Sequence, residues 1–167
     1  MSDINEIDPT LDENEFDIDL GGIDTTIPVL EKDPKMRLKI KKAEVKPNKK
    51  KNGRNLVIYF TNAEPATSTS GVTIQPGESL VSKYFALQAN PERVGEEGYN
   101  PDRWKVDLCS FIDAIYGTDK DNRPRFNTDL VLDLKDREVV AKVDIEKGEE
   151  GGSYGDKNTA SSFKFAQ

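Results

Sequence analysis

Histidine is missing from all 167 residues, and cysteine and tryptophan occur once each. Without histidine there is no His-assisted nucleophile. A thiolate–imidazole zinc site is excluded too, since one thiol cannot supply the roughly four N or S ligands it takes. Any catalysis would fall to carboxylates, lysine, tyrosine or a carboxylate-bound magnesium. The single Cys109 rules out an internal disulfide; it falls on the apolar side of a predicted helix and reads as a buried structural thiol. No run approaches the ~20 apolar residues of a membrane span. The N-terminus is acidic where a secretory leader is basic. Mean hydropathy is −0.70 and 33% of residues are charged. The expectation is a soluble cytoplasmic protein with one domain of roughly 130 residues.

What is present is charge in blocks. Residues 1–33 carry eleven acids and one base, Lys32, whereas Pro34 to Arg54 carry ten bases and one acid, Glu44. The remainder is nearly balanced, so the formal net of −7 hides the split. Such blocks mark interaction segments, and a basic one points first to phosphate. The acidic block beside it can act as an internal competitor for that surface.

Residues 1–33 have too little apolar content to offset ordering entropy and read as a disordered tail. Within it Phe16, Ile18 and Leu20 alternate with Asp17 and Asp19, a pattern that suits either a docking peptide or a plain tail. From Pro34 the period becomes two. Met36, Leu38 and Ile40 face one way and Lys35, Arg37, Lys39 and Lys41 the other, then Ala43 and Val45 continue the apolar series on the opposite parity. One extra residue near Lys41-Lys42, a β-bulge, produces that flip. Pro47 to Gly53 is a turn by composition. A second strand is expected over Asn55–Glu64, with Leu56, Ile58 and Phe60 on one face and Val57 and Tyr59 on the other. Pro65 to Gly77 reads as a long loop with a short ribbon at Val72–Gln75, and Ser79–Gln88 as the third strand. The clearest helix has Asn100 as cap, Pro101 in its first turn, Gly117 at its end, and a stripe of Trp104, Leu108, Phe111, Ile112 and Ile115. Strands at Glu138–Lys147 and Tyr154–Phe165 flank a flexible loop, Gly148–Gly152.

The order β-β-β-α-β-β with a bulged first strand resembles the five-stranded OB-fold barrel, a mainly β architecture. Residues 34–167 then form an OB-fold nucleic-acid-binding domain behind the 1–33 tail. The chain looks most like small phage-encoded single-stranded DNA-binding proteins. The features that carry this are the alternating strand Lys35–Lys42, the Lys49-Lys50-Lys51-Asn52-Gly53-Arg54 turn before Leu56-Val57-Ile58-Tyr59-Phe60, the helix end Ala114-Ile115-Tyr116-Gly117, and Tyr154-x-x-x-Asn158. Such proteins often carry their acidic tail at the C-terminus; here it is N-terminal.

Single strands are held by a positive groove along the phosphates and by aromatic faces that stack bases. The candidate bases are Arg37, Lys39 and Lys41 on one strand face, with Lys49, Lys50, Lys51 and Arg54 in and after the turn. The candidate platforms are Tyr59 and, beside Lys83, Tyr84 or Phe85. The plainer alternative is a solvated outer face with an ordinary cross-strand aromatic pair. Trp104 reads as core, and Arg123 and Arg125 could lengthen a phosphate path. Asp119-Lys120-Asp121-Asn122 lacks the glycine and glutamate of a calcium loop, and Asp129 and Asp133 read as loop and surface residues. Neither catalysis nor a cofactor or metal is expected. The expected function is sequence-tolerant binding of single-stranded DNA in phage replication or recombination, inside a host bacterium, with the tail competing with DNA or docking replication or recombination proteins. The alternative is a protein–protein interaction or virion-associated structural protein.

Overall fold

The structure is a computed structural model that describes residues 17–21, 28–148 and 155–166. Expectations for Phe16 and the rest of residues 1–16, for 22–27, for Tyr154 and for most of the Gly148–Gly152 loop lie outside the described residues. The elements are β1 (Asp33–Pro47), β2 (Arg54–Asn62), β3 (Ala66–Thr67), β4 (Thr73–Ile74), β5 (Val81–Ala86), α1 (Arg103–Tyr116), α2 (Thr128–Asp133), β6 (Glu138–Glu146) and β7 (Lys157–Phe165). The protein is mainly β, with a five-stranded sheet and two helices. The sheet order is β1-β2-β5-β7-β6, and β6 returns to pair antiparallel with β1, Met36 opposite Ala141.

The parity argument for β1 holds residue by residue. Met36, Leu38 and Ile40 are buried. The register against β2 then slips between Ile40, opposite Phe60, and Lys42, opposite Tyr59. Lys41 is therefore the extra residue of the bulge. Beyond it Ala43 lies opposite Ile58 and packs on the core. Val45 keeps the inward parity but stands 39% exposed near the strand's end.

Inside the sheet Phe60, Phe85, Phe111 and Phe163 form an aromatic cluster, with Phe85 and Phe111 centroids 4.7 Å apart. Phe111 comes from α1, so the helical stripe is what plugs the interior. The helix begins later than its sequence signals suggest. Asp102 is the cap residue and makes no side-chain cap bond. Asn100 instead accepts from the Asp102 N–H at 2.9 Å, ordering the turn before the helix. Gly117 ends it in the left-handed region, its N–H reaching the Asp113 carbonyl. Cys109 is half-buried rather than enclosed, because it sits at the margin of the stripe.

Three elements lie outside the β-β-β-α-β-β order. The paired dipeptides β3 and β4 realise the short ribbon. The helix α2 replaces the loop expected around Asp129 and Asp133; Asn127 caps it by accepting from the Leu130 N–H at 2.9 Å, and Leu130, Val131 and Leu134 bury against the core. The tail boundary also moves. Leu30 is fully buried, its N–H and C=O both held by the Asn158 side chain, and Thr69 donates to the Val29 carbonyl. Residues 29–33 thus belong to the packed body, and a cut at Pro34 would remove a core residue.

Candidate nucleic-acid interface

The outward face of β1, β2 and β5 is set by register. Opposite the buried row Leu56, Ile58 and Phe60 lie Val57 and Tyr59, with Glu44 and Lys42 beside them on β1 and Tyr84 and Ser82 on β5. Tyr59 and Tyr84 therefore share one face on adjacent strands, staggered by one pleat. Tyr84 is 59% exposed. Val57, directly opposite Tyr84, is only 1% exposed, so its neighbours on that face close over it.

Lysines border these rings. Lys42 lies directly opposite Tyr59, and the Lys46 ammonium donates to the Tyr59 hydroxyl at 3.3 Å. That bond, ahead of the Glu44 charge, raises the Lys46 pKa. Glu44 is the opposing feature. It sits between Lys42 (3.1 Å) and Lys46 (3.6 Å), and chiefly the Lys42 bond lowers its carboxyl pKa. The sheet presents bases with one acid at their centre.

The structure sorts the expected residues. Lys39, half-buried, lies opposite Thr61 on the row that continues to Tyr59. Lys41 is exposed at the bulge. Lys49, Lys50 and Lys51 stand exposed on the β1–β2 turn, where Asn52 N–H donates to the Asn48 side chain and Lys51 takes φ 57°. Lys50 is already bonded to Glu92 at 2.7 Å. Arg54 is exposed at the start of β2, its main-chain N–H held by Gln88.

Two members of the set need correcting. Arg37 shares the outward parity of Lys39, but it is tied to Glu138 at 2.7 Å and lies near Glu64, so its charge is already engaged between β1 and β6. Lys83 has the parity of Val81 and Phe85, opposite that of Tyr84, and its ammonium rests 5.5 Å from the Phe85 ring centroid. Phe85 itself is buried core and offers no stacking face. Arg123 is likewise engaged: its guanidinium donates twice to Asp113, at 2.9 and 2.7 Å. The residues that sequence reasoning missed are Lys42 and Lys46. The signal was available, since after a one-residue bulge the outward lysines must shift from odd to even numbers.

A groove of about 770 Å³ adjoins this face. It opens between β5 and β7, with Trp104 and Phe111 of α1 as floor and Lys49 and Lys83 among its lining. Trp104, expected in the core, is only half-buried there. Among the described residues no group of three acids or thiols could hold a metal, and no helix is long and apolar enough to cross a membrane. No family model and no curated protein matches the chain.

Proposed function

We propose that the protein is a non-enzymatic, sequence-tolerant single-stranded DNA-binding protein built on an OB-fold barrel. The observation that carries this is the pairing of Tyr59 and Tyr84 on one outward face of β2 and β5, bordered by Lys39, Lys42 and Lys46. Strands two and three of an OB barrel are its oligomer-binding surface. Stacking on aromatic faces gives affinity that tolerates any base, and lysines supply the phosphate track. Lys49, Lys50 and Lys51 on the first hairpin turn extend the track past the sheet edge. The acidic segment precedes this surface in the chain and competes with DNA for its charges or docks replication or recombination partners. The cytoplasm of a phage-infected bacterium is the compartment this role implies.

The test is titration with homopolymeric oligonucleotides at several salt concentrations, following tyrosine fluorescence. The full chain is compared with one in which Asp8, Asp12, Glu13, Glu15, Asp17 and Asp19 are amides. The amide form should bind more tightly, and quenching should fall in Tyr59→Leu and Tyr84→Leu. Equal affinity and salt slope would reject the competitor role. No binding by either form would reject nucleic-acid binding and favour a protein–protein role.

A further inference from the structure

The β5–β7 seam is almost unpaired. A single parallel pair, Val81 with Asn158, joins the two strands, and beyond it they diverge around the groove. The phase of β5 is fixed by the Leu87 N–H, which donates to the Arg54 carbonyl at 3.0 Å. In an antiparallel ladder, hydrogen-bonded and non-bonded pairs alternate. Phe85 and Lys83 therefore bond to β2, while the N–H and C=O of Tyr84 and Ala86 point away from it, into the groove. A strand edge of this kind is a template for another strand.

We propose that this edge accepts the chain's own acidic segment, Asp17–Leu20, as an added β-strand. Its alternation matches the groove. In an extended strand Ile18 and Leu20 fall on one side and Asp17 and Asp19 on the other. The groove has an aromatic floor at Trp104 and Phe111 and, from the β1–β2 turn, the exposed Lys49 ammonium, which has no ion pair among the described residues. Its acid, Asp107, is already bonded to Arg103 at 3.1 Å. Undocked, Ile18 and Leu20 stand 67% and 74% exposed, apolar side chains with nothing over them. Reach is sufficient: Leu30 is anchored by Asn158, the residue opposite Val81 where the seam opens. The chain between Leu20 and Leu30 spans up to about 33 Å, against about 20 Å for β5. Docking would cover Lys49 and approach Tyr84, which gives the competitor role under the proposed function a physical route. Docking itself requires no DNA.

The experiment is amide hydrogen exchange on the full chain without nucleic acid, against Ile18→Ser/Leu20→Ser. Those side chains are exposed, so the double variant keeps the core intact. Exchange at Tyr84 and Ala86 should be at least about tenfold slower in the parent, independent of protein concentration. Equal exchange in both proteins would overturn strand addition whatever the DNA titrations show. Protection that rises with concentration would assign the edge to a second copy and overturn docking within one chain.

Discussion

Lys42 and Lys46 hold Glu44 between them, and in register Glu44 lies opposite Val57, in the row that ends at Tyr84 and one pleat from Tyr59. A phosphate approaching these lysines must displace a carboxylate whose charged form they already stabilise, the Lys42 bond foremost. Glu44→Gln frees both cations. Affinity for single-stranded DNA should rise several-fold and the salt dependence should steepen by about one phosphate contact, read by titration across salt. Unchanged binding would move the phosphate track off the tyrosine-bearing face. A second residue decides a different matter. Asn158 is 5% exposed and its side chain bonds the Leu30 N–H (2.8 Å), the Leu30 carbonyl (3.0 Å) and the Asp144 carbonyl (3.2 Å). Asn158→Ala strands two buried backbone groups of Leu30 and a part-buried Asp144 carbonyl at a cost of roughly 2–3 kcal/mol. Urea denaturation should show that loss, with faster exchange at Leu30. A neutral substitution would mean that the packing of Leu30 and the main-chain bonds of Val29 and Glu31 to Thr69 and Thr67 suffice to hold residues 29–32.

At the scale of elements, α1 is positioned by how it stops. Gly117 has φ +66°, and a Cβ there would meet the Phe165 ring at 3.0 Å. Gly117→Ala combines left-handed strain, about 1–2 kcal/mol for an L-residue, with a contact against β7. A thermal melt should therefore drop by several degrees, and an unchanged melt would show that the Phe165 ring gives way freely. This helix was legible in the sequence because its five-residue apolar stripe repeats over three turns. The β1 bulge was legible because a parity flip has one cheap cause. The helix α2 was not: it is six residues long and offers too few turns for a period to show. Leu30 was also hidden, since a lone apolar residue in an acidic stretch has no local pattern, and its burial depends on Asn158, 128 positions away. The candidate site followed the same division. Tyr59 and Tyr84 were visible as outward aromatics. That Lys83 lies on the other side of its strand, and that Arg37 belongs to Glu138, are facts of register and strand order.

Across the whole molecule, carboxylates join the elements that hydrophobic burial leaves only loosely tied. Asp113 links α1 to the following loop through Arg123 and Thr118. Asp133 links α2 to α1 through the Tyr116 hydroxyl (2.7 Å) and to the start of β6 through Arg137 (2.7 Å). Asp156 ties the start of β7 to the end of β6 through the Gly148 N–H and Lys147. All three carboxyl pKa values are lowered: Asp113 mainly by Arg123, Asp133 by the Tyr116 hydroxyl and then Arg137, Asp156 by the Gly148 N–H. A carboxyl lowered in the fold contributes stability that is full above its unfolded value, near 4, and lost as pH falls through the folded value. Tyr116 works in the opposite sense. Burial and then its bond to Asp133 push its pKa up to about 12, so its contribution is full below pH ~10 and is lost as pH rises through about 12. With no histidine in the chain, no side chain of ordinary pKa titrates between about pH 5 and 8. Denaturation midpoints should therefore be flat across that window, fall below about pH 4, and fall again above about pH 10. Asp133→Asn should flatten the acid limb, and a midpoint that already slopes between pH 5 and 8 would place the controlling group elsewhere.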